Sequence, residues 1–170
     1  GEGAGALVIE SLEHAQSRGA TILAEITGFG STGDGYHITA PEPTGEGAVR
    51  AMKQALEEGG FTPEDIGHLN AHGTATPVND KTEACAWNTL LGDRAKEVPV
   101  TSVKGVTGHM LGAAGAIEAI VAALSVERNV IPPTAGFAEP DPECPVTVPT
   151  AALVNRKQKV CLLYTSDAAD

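Results

Sequence analysis

Two histidines stand where a sheet protein uses its polar groups for chemistry rather than for packing. His72 lies in Asn70-Ala71-His72-Gly73-Thr74-Ala75-Thr76, directly after a short apolar run, and His109 lies in Thr107-Gly108-His109-Met110-Leu111-Gly112. A neutral imidazole keeps one N–H donor and titrates near physiological pH. Two such donors aimed at one carbonyl oxygen would stabilise the charge that gathers there as an enolate forms. Glycines beside both histidines let a ligand come close to the backbone. Lys104 precedes His109 by five residues and Glu118 follows it by nine, both among apolar neighbours. Isolated buried charges are costly, so these two must pair or be hydrogen-bonded. The functional reading is a charge-orienting pair beside the histidines; the plain one is a surface salt bridge. Thr74 and Thr76 offer hydroxyls at a cavity mouth, or else cap a turn. His14, His37 and His68 read as structural residues, with His37 the more open case because it sits in a Gly-rich loop.

Such groups need elements to hold them. The β-rich run Gly5 to Ser11 reads as a strand, Leu12 to Arg18 as a helix stopped by Gly19, and Thr21 to Phe29 as a second strand with Ile22, Ala24 and Ile26 alternating. Gly30 to Thr44 is a long loop, and loops of that length are often functional. Gly45 to Gly59 is amphipathic, with Ala48, Met52, Ala55 and Leu56 on one face. After the capping pattern Thr62-Pro63-Glu64-Asp65, the strand Ile66 to Ala71 delivers His72 to its carboxyl end, where α/β sheets collect ligands. A helix runs from Asn79 or Asp80 to Leu91, and a strand covers Val98 to Val103. The longest helix is expected from Thr107 or Gly108 to about Arg128, before Pro132-Pro133. Its first half has small residues on every face, which predicts a central helix pressed from several sides. His109 then falls in the first turn, where the helix N-terminus favours a neutral ring. Strands alternating with helices give an α/β class.

The 170 residues, 42% apolar and 19% charged, suit a globular domain. A net charge of -11 with scattered cations argues against a nucleic-acid partner, and no long apolar run suggests a membrane span. Cys85, Cys144 and Cys161 have no metal or disulfide spacing, which fits a reducing cytoplasm. Cys85 is expected to be a small buried hydrophobe, and Cys144 to have its thiol pKa raised by an acidic loop, so neither reads as an activated nucleophile. A serine hydrolase would need a Gly-x-Ser-x-Gly elbow, which is missing. A zinc enzyme would need a third ligand near the histidines, and no metal is expected.

Asn70 to Thr74, followed by Lys104-Gly105-Val106-Thr107-Gly108-His109-Met110-Leu111-Gly112-Ala113-Ala114-Gly115, resembles the two C-terminal signatures of β-ketoacyl-[acyl-carrier-protein] synthases, above all the type II elongating class of bacterial fatty-acid synthesis. Gly1 to Gly5 and Pro132-Pro133-Thr134 are similar to the same family. The resemblance implies a thiolase-like fold, layered α-β-α-β-α, of which this chain would be the C-terminal half, truncated before the last strands. It implies a decarboxylating Claisen condensation, in which an acyl group on an active-site cysteine is attacked by the carbanion left when malonyl carrier protein loses carbon dioxide. His72, His109 and Lys104 would be catalytic, Glu118 the supporting partner of Lys104, and Thr74 and Thr76 contacts of the pantetheine arm. No cofactor is implied beyond the phosphopantetheine of the acyl carrier protein, which would be the partner, in a cytoplasmic enzyme that is usually a homodimer. The family's cysteine motif and its closing Asn-Ser-Phe-Gly-Phe-Gly-Gly segment have no counterpart here. Residues 161–170 instead resemble the translation of a sequencing-library adapter, so the natural half-domain is expected over residues 1–160. The same fold also serves polyketide ketosynthases and non-catalytic chain-length partners. By itself the chain is expected to be inactive.

Overall fold

The computed structural model describes residues 1–38 and 40–165. Helix α1 (Leu12–Ser17) begins where the Ser11 hydroxyl accepts the His14 N–H, and it ends ahead of Gly19, whose φ is +67°. Glu10 pairs with Arg18 and with His14 across this helix, and the Arg18 guanidinium holds its carboxyl down at about 2. The strands expected over Gly5 to Ser11 and Thr21 to Phe29 are not formed. Both stretches lack a ladder partner among the described residues, and a strand exists only through the N–H and C=O groups of a neighbour. Phe29 N–H donates instead to the Glu58 carboxylate at 2.7 Å. Their apolar side chains stay uncovered, with Val8 91% and Ile26 72% exposed.

The core is built by the middle of the chain. Helix α2 (Glu46–Gly59) buries Ala48, Val49, Met52 and Leu56. The Thr62–Asp65 capping box leads into strand β1 (Ile66–Asn70), and helix α3 (Pro77–Leu91) follows. Trp87 and Leu90 of α3 share one buried core with Ile66 and Leu69 of β1. Pro77 takes the first helical position, where its missing N–H costs nothing, so α3 starts two residues ahead of the expected Asn79. Strand β2 (Val100–Thr101) lies parallel to β1, with Leu69 opposite Val100 and Asn70 opposite Thr101. Only two residues of the expected strand Val98 to Val103 pair in that ladder.

The long helix expected from Thr107 or Gly108 begins only at Ala114. A single turn, α4 (Lys104–Thr107), ends at Gly108, whose φ of 70° and ψ of 174° suit only glycine. A 3-10 turn at Leu111–Ala113 then leads into α5 (Ala114–Arg128). Only Ala114, Glu118 and Ser125 of α5 are buried, so the helix is not enclosed on all sides as its small residues suggest. A short antiparallel pair, β3 (Val130–Ile131) and β4 (Leu153–Val154), precedes β5 (Val160–Leu163). Strand β5 completes a parallel sheet in the order β2-β1-β5, with Leu162 in the core and Tyr164 edge-on to Trp87 at 5.6 Å. Of the ten residues expected to be foreign, 161–165 are therefore described and 166–170 lie outside the described residues.

Candidate active site

Strands β1 and β2 run parallel, so their carboxyl ends deliver His72 and Lys104 to one edge of the sheet. His72 is fully buried. Its backbone N–H donates to Glu83 Oε1 at 2.8 Å, and Gly73 N–H donates to Glu83 Oε2 at 2.7 Å. Asn79 Nδ2 adds a third bond to that carboxylate at 2.8 Å. Burial pushes the Glu83 carboxyl up to about 7 against the pull of these three donors.

Lys104 reaches back from α4 across the strand ends. Its ammonium donates to Glu118 of α5 and to the His72 carbonyl oxygen, and lies 3.4 Å from His72 Nδ1. The two charged side chains are 6% and 2% exposed, so this is a buried pair and not a surface salt bridge. An ammonium only donates, which makes His72 Nδ1 an acceptor and leaves the proton of the neutral ring on Nε2. At His109 the Leu111 N–H donates to Nδ1 at 3.1 Å, with the same result. The rings stand 5.2 Å apart, nearly perpendicular at 83°. Among the described residues, His109 Nε2, Glu118 Oε2 and both amide atoms of Asn70 are buried without a hydrogen-bond partner. This cluster sets imidazole groups beside a compensated buried charge, which suits holding an oxyanion.

Thr74 and Thr76 stand on the loop after His72, their hydroxyls 2.9 Å from each other, with Thr76 exposed.

The chain carries the model of the beta-ketoacyl synthase C-terminal domain over residues 23–138, more than half its length. It belongs to that family. The 3-oxoacyl-[acyl-carrier-protein] synthase 2 of Staphylococcus aureus is 56% identical over 148 residues, which are 87% of this chain and 37% of the relative. A beta-ketoacyl synthase from Burkholderia phymatum superposes with a TM-score of 0.80 at 39% identity, over 86% of this chain and 35% of that one. The ketosynthase complex of a type II polyketide acyl-carrier protein gives 0.83 at 36% identity, over 86% and 36%. The chain thus spans little more than a third of the proteins it matches, and the expected thiolase-like α/β class holds for the part described.

Within this ketoacyl-synthase domain, the structure brings His72, His109, Lys104 and Glu118 together as the motifs suggested. It corrects the setting of His109, which precedes α5 by five residues and so gains nothing from a helix N-terminus. The Leu111 N–H takes over the task of fixing the ring, with Leu111 in the left-handed region at φ 50°. Cys85 is corrected as well: α3 turns Ala84 and Ala86 inward and leaves Cys85 exposed beside Lys81 and Asn88. The Cys144 thiol is raised as expected, by burial first and by Asp141 second. Cys161 lies 3.3 Å from His68 Nδ1, its thiol pushed up to about 12 by burial. Among the described residues no group of three His, Cys, Asp or Glu could hold a metal ion, and no helix is long and apolar enough to cross a membrane. Glu83 was overlooked in the sequence. Its signal is a carboxylate four residues before Trp87, on the face of α3 that enters the core.

Proposed function

We propose that this chain is the part of a 3-oxoacyl-[acyl-carrier-protein] synthase that binds and activates the malonyl thioester. The observation that carries this reading is the pair of neutral imidazoles 5.2 Å apart whose Nδ1 atoms are both occupied, by the Lys104 ammonium and by the Leu111 N–H. Both rings then donate from Nε2 to the thioester carbonyl oxygen. As the bond to the carboxylate breaks and carbon dioxide leaves, its electron pair moves into the enolate that these donors stabilise. The carbanion then forms a carbon–carbon bond to an acyl thioester, and the cysteine thiolate is expelled. That cysteine comes from outside these residues, so the chain alone performs no condensation. Lys104 orients His72, Glu118 compensates the ammonium, and Thr74 and Thr76 contact the pantetheine arm. The acyl carrier protein is the partner, with no cofactor of the enzyme's own, in a cytoplasmic homodimer.

A polyketide ketosynthase is the second reading, favoured by the likeness to the type II polyketide complex. The higher identity to the staphylococcal synthase supports fatty-acid elongation. We further propose that residues 161–170 are adapter read-through. Strand β5 is no obstacle to this, because a strand at a sheet edge is held by backbone bonds and alternate apolar side chains that many sequences supply. The source nucleotide sequence decides the matter, and different codons across these ten residues would sink it.

The function is tested with acyl and malonyl carrier proteins. The chain alone should give no ketoacyl product. In the completed synthase, His109→Gln should slow malonyl decarboxylation by roughly 100-fold or more, the usual effect of losing one oxyanion donor. Turnover by the chain alone, or an unchanged decarboxylation rate, would refute the reading.

A further inference from the structure

His109 lies between two helices and inside neither: α4 ends at Gly108, and α5 starts at Ala114 after the 3-10 turn over Leu111–Ala113. On its Nδ1 side the ring meets the Leu111 N–H, which donates at 3.1 Å. That bond lasts only while the peptide between His109 and Met110 keeps its orientation. Leu111 stands at φ 50°, left-handed backbone that a residue other than glycine keeps only when its surroundings enforce it. Its side chain is 66% exposed, so burial does little to guard the N–H.

The first residue of the chain holds that peptide. The Gly1 nitrogen donates to the His109 carbonyl oxygen at 2.9 Å. An amide N–H at this position makes the same bond as a free amino group, so the hold survives in a longer chain. Gly1 and Gly108 lie backbone against backbone. A Cβ on Gly1 would overlap the Thr107 carbonyl oxygen and come within 3.2 Å of the Gly108 Cα, while a Cβ on Gly108 would lie 3.1 Å from both the nitrogen and the Cα of Gly1. Main chain cannot swing aside. At Gly3 the case differs, because a Cβ there would meet the far end of the flexible Met110 side chain. Residues 1–9 are exposed and contribute nothing to the apolar core.

We propose that Gly1 is a positioning residue for His109: having no side chain, it lies flush on Thr107 and Gly108, and its N–H fixes the peptide that sets the Leu111 N–H against the ring. The proposal rests on the reading of His109 as a donor to the thioester carbonyl.

The test is amide hydrogen exchange on the chain, followed residue by residue. Gly1→Ala should speed exchange at Leu111 about fivefold or more, the scale of losing one hydrogen bond. Leu69 and Ala71, whose N–H groups donate to the Pro99 and Thr101 carbonyls, should not change. Gly3→Ala should leave Leu111 within about twofold of the parent, as an ordinary surface change would. A merely structural role would speed Leu69 and Ala71 together with Leu111. Should Gly1→Ala fail to fold, a chain begun at Ala4 decides, since it lacks the bond and forces no clash; Leu111 should again exchange faster. In the completed synthase, Gly1→Ala should slow malonyl decarboxylation roughly 10-fold or more, as misplaced reacting groups do, with Gly3→Ala close to the parent. Unchanged Leu111 exchange in either folded variant, an equal rise at Leu69 and Ala71, or an equal response to Gly3→Ala overturns the proposal. So does parent-like decarboxylation in Gly1→Ala when His109→Gln is slow. Unaltered decarboxylation in His109→Gln would instead sink the condensation reading, and the exchange rates would still decide whether Gly1 holds the His109 peptide.

Discussion

Glu83 gathers two backbone N–H groups and one amide on a single buried carboxylate, so its loss should be felt first at His72. In Glu83→Gln one oxygen becomes an NH2 group that faces a donor, leaving a buried N–H unpaired. The expected cost is about 1–3 kcal/mol, read from the urea unfolding midpoint. The pH dependence has a definite sign. Burial raises the folded Glu83 carboxyl from 4.5 to about 7, so its stabilising contribution is fully present below about pH 4.5 and is lost as pH rises through about 7. His68 works the other way. Burial lowers its ring from 6.5 to about 4, so its contribution is present above about pH 6.5 and is lost as pH falls towards 4. Between these limits the variants should diverge: Glu83→Gln should lose stability on acidification more steeply than the parent, and His68→Phe less steeply. Parallel curves for all three proteins would contradict both assignments. His72, His109, Lys104 and Glu118 were legible at this scale because polar residues beside glycine and apolar runs need a reason to be there. Glu83 was not, since its partners are backbone groups ten and eleven residues away that only the β1 to α3 turn brings within reach.

At the scale of elements, periodicity recovered α2, β1 and α3 but began the last long helix too early, at Thr107 or Gly108 instead of Ala114. Composition cannot show that Gly108 and Leu111 occupy left-handed backbone, which keeps the helix from starting before Ala114. The late start matters because it turns His109 towards His72 and exposes its Nδ1 to the Leu111 N–H. Gly108→Ala should therefore cost roughly 1–3 kcal/mol, the usual scale for forcing a side chain into such backbone. Chemical denaturation checks this, and a loss below 0.5 kcal/mol, the size of an ordinary surface change, would mean the chain relaxes easily there. The strands expected over Gly5 to Ser11 and Thr21 to Phe29 failed for a different reason. A ladder needs a second strand, and among the described residues neither stretch has one.

For the molecule as a whole, the uncovered apolar side chains of the first forty residues set its behaviour in solution. Val8, Ile9, Ile26, Phe29 and Ile38 are all exposed, and large apolar side chains left in water favour association. The chain should self-associate as its concentration rises, and Val8→Lys with Ile26→Lys should weaken that association. Sedimentation at several concentrations is the measurement; a monomer throughout would show that the segment finds cover within its own chain.

The amino-acid sequence determined by itself the α/β class, the family and the identity of the four polar groups, because each of these rests on local pattern and residue chemistry. Tertiary structure decided what those groups touch. His72 Nδ1 lies beside a lysine 32 residues further along the chain, and His109 Nδ1 accepts from a left-handed amide two residues further on. Hydrogen bonds between distant segments form only when strands pair and loops close over them, so the hold of Glu83 on the loop that carries His72 was decided by the fold.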